Sequence, residues 1–515
     1  MSQPSLDLPT RPTKRDALEP LLRLEGPVES IEFNFTNRCN LRCVYCPQGS
    51  HEDGFHAETA DWQLDEILGY IDRNGVKHAS IGYYGETTMV AGWEDVCERL
   101  MDRGVALTIV SNFSRVLSER EFDVLSRFEE IQVSIDSVDQ ATLRRVRKSV
   151  DVRTIVYDCQ RIQAAALVAG RPVPRMIWTG VLTREVVFGL REFVAMAASC
   201  SIKQVNFNSV GYFDGANGES LHVCDLAEAD FLKAAEEIER ALALAKSLGV
   251  ALKIQDHGRI MRRVVDITGR TRVLDNGHYL ASIDDLSSED RIYVYGSGEP
   301  GRYIAQQIQP RDGLDFAAFL DSSRGGEVDG AQVIAFEDYM RERGTRSTSK
   351  RDVILVCSSA YDEIEKGLVA AGVERYLDAR ELYLHTRGRS GGSEGARVKR
   401  QGIQGSFAMA DQAGDTLAEG LTRLCDSPWT QTYTDPKGEV YSCCQRGEVM
   451  GQLSAKTGLA RVLNQKSYRD LRKKLLTGRN LPAECAQCLI RPPTTPADLQ
   501  RHVRAKLSKL GSIER

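Results

Sequence analysis

Between Glu29 and Asn208, short apolar runs alternate with longer amphipathic stretches, and this alternation limits the fold more than any single motif. The runs "SIEFNFT", "HASIGYY", "VALTIVS", "EIQVSID", "RMIWTGVL" and "KQVNFN" read as strands. Between them, "WQLDEILGYIDRNG" and "WEDVCERLMDRG" repeat apolar residues at three and four positions, and each ends in Gly, a helix stop signal. Such strand–helix repetition is resolved by a parallel sheet covered with helices. Six consecutive units predict an α/β chain whose first domain, residues 29–260, is a partial (βα)6 barrel. The long stretch "LAEADFLKAAEEIERALALAKSLG" should pack against its outside.

The remainder divides by composition. A second α/β unit starts near Arg291 with "RIYVYGSGEPGRYIAQQI" and predicts a small Rossmann-like domain over 290–385. Residues 386–416 are rich in Gly, Ser and Arg and read as a linker. Residues 417–515 form a small cysteine-rich α+β domain, and 1–28 read as a polar N-terminal tail. At 515 residues, two or three domains are expected. The net charge of −5 gives no basic footprint for nucleic acid, and there is no apolar run long enough for a bilayer. The N-terminus lacks the pattern of a secretory signal, so the chain is expected to be cytoplasmic, where thiols stay reduced. Clustered cysteines then point to metal binding or catalysis rather than disulfides.

Of 13 cysteines, Cys39, Cys43 and Cys46 stand in "CNLRCVYC", directly after the first strand. Catalytic groups of βα barrels sit at that end of the strands. Three thiolates on one loop suit three corners of a cubane iron–sulfur cluster with its fourth iron open. A zinc knot completed by His51 or His56 would use the same residues.

The spacing Cys-x3-Cys-x2-Cys, with the aromatic Tyr45 before the third cysteine, resembles the radical S-adenosylmethionine (radical SAM) superfamily. The resemblance implies a [4Fe-4S] cluster whose open iron is chelated by SAM. One electron then cleaves SAM, and the resulting 5′-deoxyadenosyl radical takes hydrogen from carbon. The loop "GYYGETT" after the second strand is similar to the family's loop for the SAM amino group, placing Gly85, Glu86 and Thr87, with Tyr84 where a second glycine is usual. After the third strand, "VSNFS" places Ser111 and Asn112, and after the fourth, "VSIDS" places Ser134 and Asp136. The resemblance thus makes Cys39, Cys43 and Cys46 catalytic and cluster-binding, and the others cofactor-binding.

Cys425, Cys443, Cys485 and Cys488, with "DPKGEVYSCC" as a hairpin, resemble the half-sized SPASM extension called a twitch domain. That resemblance implies one auxiliary [4Fe-4S] cluster, and Cys444 is left over. A zinc ribbon would use the same four residues. The single cysteines Cys97, Cys159, Cys200, Cys224 and Cys357 read as small buried residues.

"YVYGSGEPG" spaces Gly296, Gly298 and Gly301 as in nucleotide-binding turns, and Asp321 stands where a ribose-binding acid belongs. NAD or a nucleotide-sugar would suit the pattern, although Glu299 inside the turn would repel phosphate. A docking or substrate-recruiting module is the plainer reading. Together these readings predict a radical SAM enzyme, oxidoreductase-like or isomerase-like, acting on a carbohydrate-like or other small molecule. Its reductant would be a flavodoxin or ferredoxin. A maturase of ribosomal peptides is the enzymatic alternative, and a zinc-binding regulatory protein the non-enzymatic one.

Overall fold

The computed structural model describes residues 18–46, 57–83, 85–210, 220–269, 282–322, 325–343, 351–358, 360–380, 420–443, 448–486 and 493–511, with residues 273, 280, 382, 417, 488 and 491. The barrel strands are β1 (Ser30–Phe33), β2 (His78–Ile81), β3 (Ala106–Ser111), β4 (Glu130–Ser134), β5 (Arg175–Leu182), β6 (Gln204–Ser209) and β7 (Ala251–Ile254). They pair in sequence order and all run parallel. The six expected strands are present, and β7 adds a seventh. It escapes the sequence pattern because it is a short edge strand, with only Leu252 and Ile254 packed on the core.

Strand alternation sorts the residues to two faces. Leu107, Ile109, Ile131, Val133, Trp178, Val205 and Phe207 are buried in one large core. The opposite, concave face carries Thr108, Gln132, Ser134, Thr179, Asn206 and Asn208, all partly or fully accessible. Helices begin and end on local chemistry. Ser118 and Glu121 form a capping box for Glu119–Leu125, Asp139 caps Gln140–Arg147, and Gly75 ends Asp61–Asn74 at φ 68°. The long helix Glu228–Leu248 buries Phe231, Ala234, Ile238 and Ala241 against the outside of the barrel.

The second α/β unit contains β8 (Asp290–Tyr295), β9 (Asp315–Asp321), β10 (Gly326–Val328), β11 (Ala331–Ala335), β12 (Arg351–Val356) and β13 (Tyr376–Asp378). They form a separate sheet in the order β10-β11-β9-β8-β12-β13, parallel except for β10. Its two sides carry their own apolar clusters, around Ile292 and around Tyr293.

The C-terminal segment supplies β14 (Thr422–Arg423), β15 (Gln431–Thr434), β16 (Glu439–Tyr441), β17 (Gly451–Gln452) and β18 (Pro493–Thr494). Strand β15 pairs in parallel with β1, from Ser30↔Gln431 to Phe33↔Thr434, so β15–β17 extend the barrel into one ten-stranded sheet. The polar tail read over 1–28 needs correction over residues 18–28. Leu21, Leu24 and Val28 are buried, and Glu19–Leu22 forms a helical turn. C-terminal side chains satisfy its main chain: Trp429 Nε1 donates to Leu21 O at 2.6 Å and Arg472 Nη1 to Leu22 O at 3.0 Å. The 386–416 linker and Cys444 lie outside the described residues. Among the described residues no helix is long and apolar enough to cross a membrane.

Candidate active site

The loop after β1 carries Cys39, Cys43 and Cys46, all half-buried. Its entry is fixed by Thr36 Oγ1 donating to Ala57 O at 3.0 Å and Ala57 N to Asn37 Oδ1 at 2.6 Å. Its exit is fixed by Cys46 N donating to Cys43 O and Val44 N to Val146 O. The β2 loop lies directly on this backbone. Gly85 has φ 93°, and a Cβ there would stand 2.4 Å from Thr36 O and 2.6 Å from Arg38 O. Only glycine permits that approach.

Glu86, buried behind the loop, is a hub. Its Oε1 accepts from Thr88 N (3.1 Å), Thr88 Oγ1 (2.8 Å) and Ser111 Oγ (2.8 Å), and its Oε2 accepts from Asn112 N (2.8 Å). Asn112 Nδ2 in turn reaches Cys39 Sγ at 3.6 Å and Asn40 Oδ1 at 3.0 Å. Glu86, Ser111, Asn112 and Cys39 are therefore one connected network. Thr87 is buried within the β2 loop, its hydroxyl packed toward Gly82.

A second network holds the third cysteine's turn. Tyr45 OH donates to Asp136 Oδ2 at 2.7 Å, Arg147 Nε donates to the same oxygen at 2.6 Å, and Val181 N donates to Oδ1 at 2.7 Å. Asp136 is fully buried and Arg147 nearly so, with its guanidinium 5.8 Å from the Tyr45 ring centroid. Burial, together with the Asp136 charge, pushes the Tyr45 phenol well up. Sequence reasoning missed Arg147. It sits eleven positions beyond Asp136 on a helix with exposed arginines, so nothing marks it as the one that turns inward. Ser134 stands apart from both networks on the concave face, in register with Thr179.

The thiols carry an electrostatic signature. Burial pushes Cys39 up to about 11 and Cys43 up to about 12, and Cys46 adds its own repulsion to each. Arg147 works the other way on Cys43. Neighbouring buried thiols of this kind ionise when a cationic group binds them, so the donor set suits an iron–sulfur cluster. Among the described residues no group of three or more His, Cys, Asp or Glu is gathered to clamp a single ion. His51 and His56, the candidate fourth zinc ligands, lie outside the described residues.

The second set is brought together by the C-terminal fold. Cys485 is pushed up to about 12 by burial and then by Cys425, Cys443 and Cys488 in turn, so four cysteines from three segments share one field. Arg491 pulls the other way on Cys425. Arg423 donates to Ala486 O at 2.6 Å, and its buried Nε has no partner among the described residues. Half-buried thiols with the Arg491 guanidinium acting on one of them, and Arg423 holding the Ala486 carbonyl next to Cys485, fit a dianionic thiolate-bound cluster.

Strand pairing fixes where these sets lie. Cys39 follows the C-terminal end of β1, whereas Cys425 precedes β15 and Cys443 follows β16 at the opposite end of the paired strands. Four registered residues put about 10 Å of strand between those ends. The polar concave face stands on β3–β6, further along the same sheet.

In the second α/β unit, Gly296 has φ 104° and precedes the helix Glu299–Ile308. A Cβ on Gly301 would stand 1.8 Å from Gly296 O, so that glycine lets the helix close onto the turn. Gly298 caps the helix, Glu299 is exposed in its first turn, and Asp321 at the end of β9 adds to the burial that raises the Tyr295 phenol. The five scattered cysteines are all buried.

Comparison with known proteins bears on both cysteine sets. Residues 33–166 match the radical SAM superfamily, and residues 425–489 match the SPASM iron–sulfur cluster-binding domain. A probable GTP 3′,8-cyclase of Methanocaldococcus jannaschii is 24% identical over 136 residues, covering 25% of this chain and 43% of the relative. One from Methanocella arvoryzae is 27% identical over 114 residues, covering 22% and 36%. The chain thus spans less than half the length of these curated relatives. Among solved structures, Streptococcus suis SuiB bound to S-adenosylmethionine aligns at TM-score 0.41 and 12% identity, over 88% of this chain and 70% of that one. His-tagged anSMEcpe with bound AdoMet aligns at TM-score 0.36 and 15% identity, over 47% and 67%.

Proposed function

From a chain with a radical SAM domain over residues 33–166 and an iron–sulfur cluster-binding domain over 425–489, we propose an enzyme that takes hydrogen from a hydroxylated small molecule. The observation that carries this reading is the polar face of β3–β6, on the same sheet whose paired strands carry the two cysteine sets at opposite ends. Its Thr, Gln, Ser and Asn side chains, set among Val110, Ile177 and Val181, offer hydrogen bonds to a polar ligand.

In this reading Cys39, Cys43 and Cys46 hold a [4Fe-4S] cluster, and Cys425, Cys443, Cys485 and Cys488 hold an auxiliary one. When bound, the first cluster and SAM supply one-electron cleavage and a hydrogen-abstracting radical. The chain's own groups do the positioning. Asn112 steadies the Cys39 sulfur, and Glu86 fixes Asn112 through its backbone N–H. Gly85 brings the β2 loop onto the cysteine loop, and Asp136 with Arg147 fixes Tyr45 beside the third cysteine.

Anaerobic reconstitution tests the reading. The protein should bind about eight irons, absorb near ~400 nm, and release 5′-deoxyadenosine from SAM with a strong reductant. Zinc in both sets with no SAM cleavage would overturn it in favour of a metal-binding regulatory protein.

A further inference from the structure

The concave face also indicates what kind of small molecule it takes. Strands β4 to β7 are in register so that Ser134, Thr179, Asn206 and Lys253 stand side by side across the sheet. Their strand neighbours Val133, Trp178, Val205 and Leu252 belong to the core on the other side, so the four polar side chains share the concave face.

Two features of this row are unexplained by the fold. Thr179 Oγ1 is buried and has no hydrogen-bond partner among the described residues. A buried hydroxyl left unsatisfied costs stability, and valine would fill the same volume without that cost. Lys253 stands at the far end of the row, exposed, and no hydrogen bond or ion pair engages it among the described residues. Between them, Asn206 Oδ1 is taken by Gln204 Nε2 at 3.1 Å, which leaves the Asn206 amide N–H groups to offer. The row is therefore a line of donors ending in a positive charge.

We propose that this row binds an anionic, hydroxylated small molecule, with its phosphate or carboxylate at Lys253 and its hydroxylated carbons across Asn206 and Thr179. Ser134, the row's last member, is on the side of the sheet nearest the cysteine loop. The inference rests on the reading that the substrate is a hydroxylated small molecule, and it adds the anionic group and the residues that select it.

The test uses D-ribose, D-ribose 5-phosphate and D-ribonate as probes, titrated calorimetrically into the full reconstituted chain with SAM. One or both anionic probes should bind at least about tenfold tighter than ribose, the scale of a charge-assisted contact. The pair also shows whether phosphate or carboxylate is preferred. Lys253→Gln should erase the preference and Lys253→Arg should keep it. Thr179→Val should weaken all three probes about two- to tenfold while the ligand-free protein melts no lower than wild type. Equal binding of the three probes, or an anion preference that survives Lys253→Gln, overturns the proposal. Release of 5′-deoxyadenosine from SAM is followed in the same preparation. Intact release without anion preference overturns the row alone, and anion preference without release overturns the radical reading alone.

Discussion

The two cysteine regions are held by different means. The first is built on side chains: Glu86 ties Ser111 and Asn112 together behind Cys39, and Asp136 ties Arg147 and Tyr45 behind Cys46. The second rests on strand pairing and on side chains that donate to main-chain carbonyls. Strand β15 is hydrogen-bonded to β1, and Arg472 and Trp429 satisfy carbonyls of residues 21, 22 and 428. A buried charged cradle fails when one partner is removed, because the other charge is left uncompensated. A site joined through strand pairing and carbonyl contacts loses one hydrogen bond at a time.

The largest expected effect separates the regions by chemistry. Cys43→Ala should abolish SAM cleavage, whereas Cys485→Ala should keep uncoupled cleavage and drop iron from about eight to about four per chain. Iron analysis and 5′-deoxyadenosine release check both, and normal cleavage by both variants would contradict the assignments.

The next effect strikes the side-chain cradle. Arg147→Met strands the Asp136 carboxylate in the core and should cost about 3–5 kcal/mol in urea unfolding. Adding Asp136→Asn should recover much of that loss, because the uncompensated charge is gone. In the main-chain region, Arg472→Met should cost less, about 2–3 kcal/mol, by orphaning the Pro428 and Leu22 carbonyls. Its iron loss should be confined to the auxiliary cluster.

The last effect is conditional on pH, lies behind the first region and vanishes in acid. Burial pushes the Asp158 carboxyl up from 3.8 to about 7, and its Oδ2 has no partner among the described residues. Leu117 N donates to its other oxygen, and Arg115 and Glu121 face it from the neighbouring segment. The folded state holds this proton more tightly than the unfolded chain. Its stabilising contribution is therefore full below about 4 and is lost as pH rises through about 7. Asp158→Asn should be more stable than wild type at pH 8 by on the order of 2–4 kcal/mol and should lose that advantage at pH 4. An advantage constant from pH 4 to 8 would contradict this.

The barrel strands were legible because period-two alternation and loop glycines are local signals, and the cysteine spacing placed both clusters of thiols. Three features were not legible. The pairing of β1 with β15 joins residues about four hundred positions apart, and four-residue strands carry no sign of their partner. Leu21, Leu24 and Val28 look like scattered apolar residues in a polar tail until Trp429 and Arg472 cover them. Arg147 is one arginine among several on its helix, and its role depends on a carboxylate that only the folded sheet places beside it.

The most direct test follows hydrogen. Hydroxylated small molecules deuterated at carbon, including sugar phosphates and sugar acids, are incubated with the reconstituted enzyme, SAM and reductant beside deuterated peptides. The account predicts deuterium in 5′-deoxyadenosine from a hydroxylated small molecule and none from the peptides. Transfer from a peptide side chain alone would contradict it.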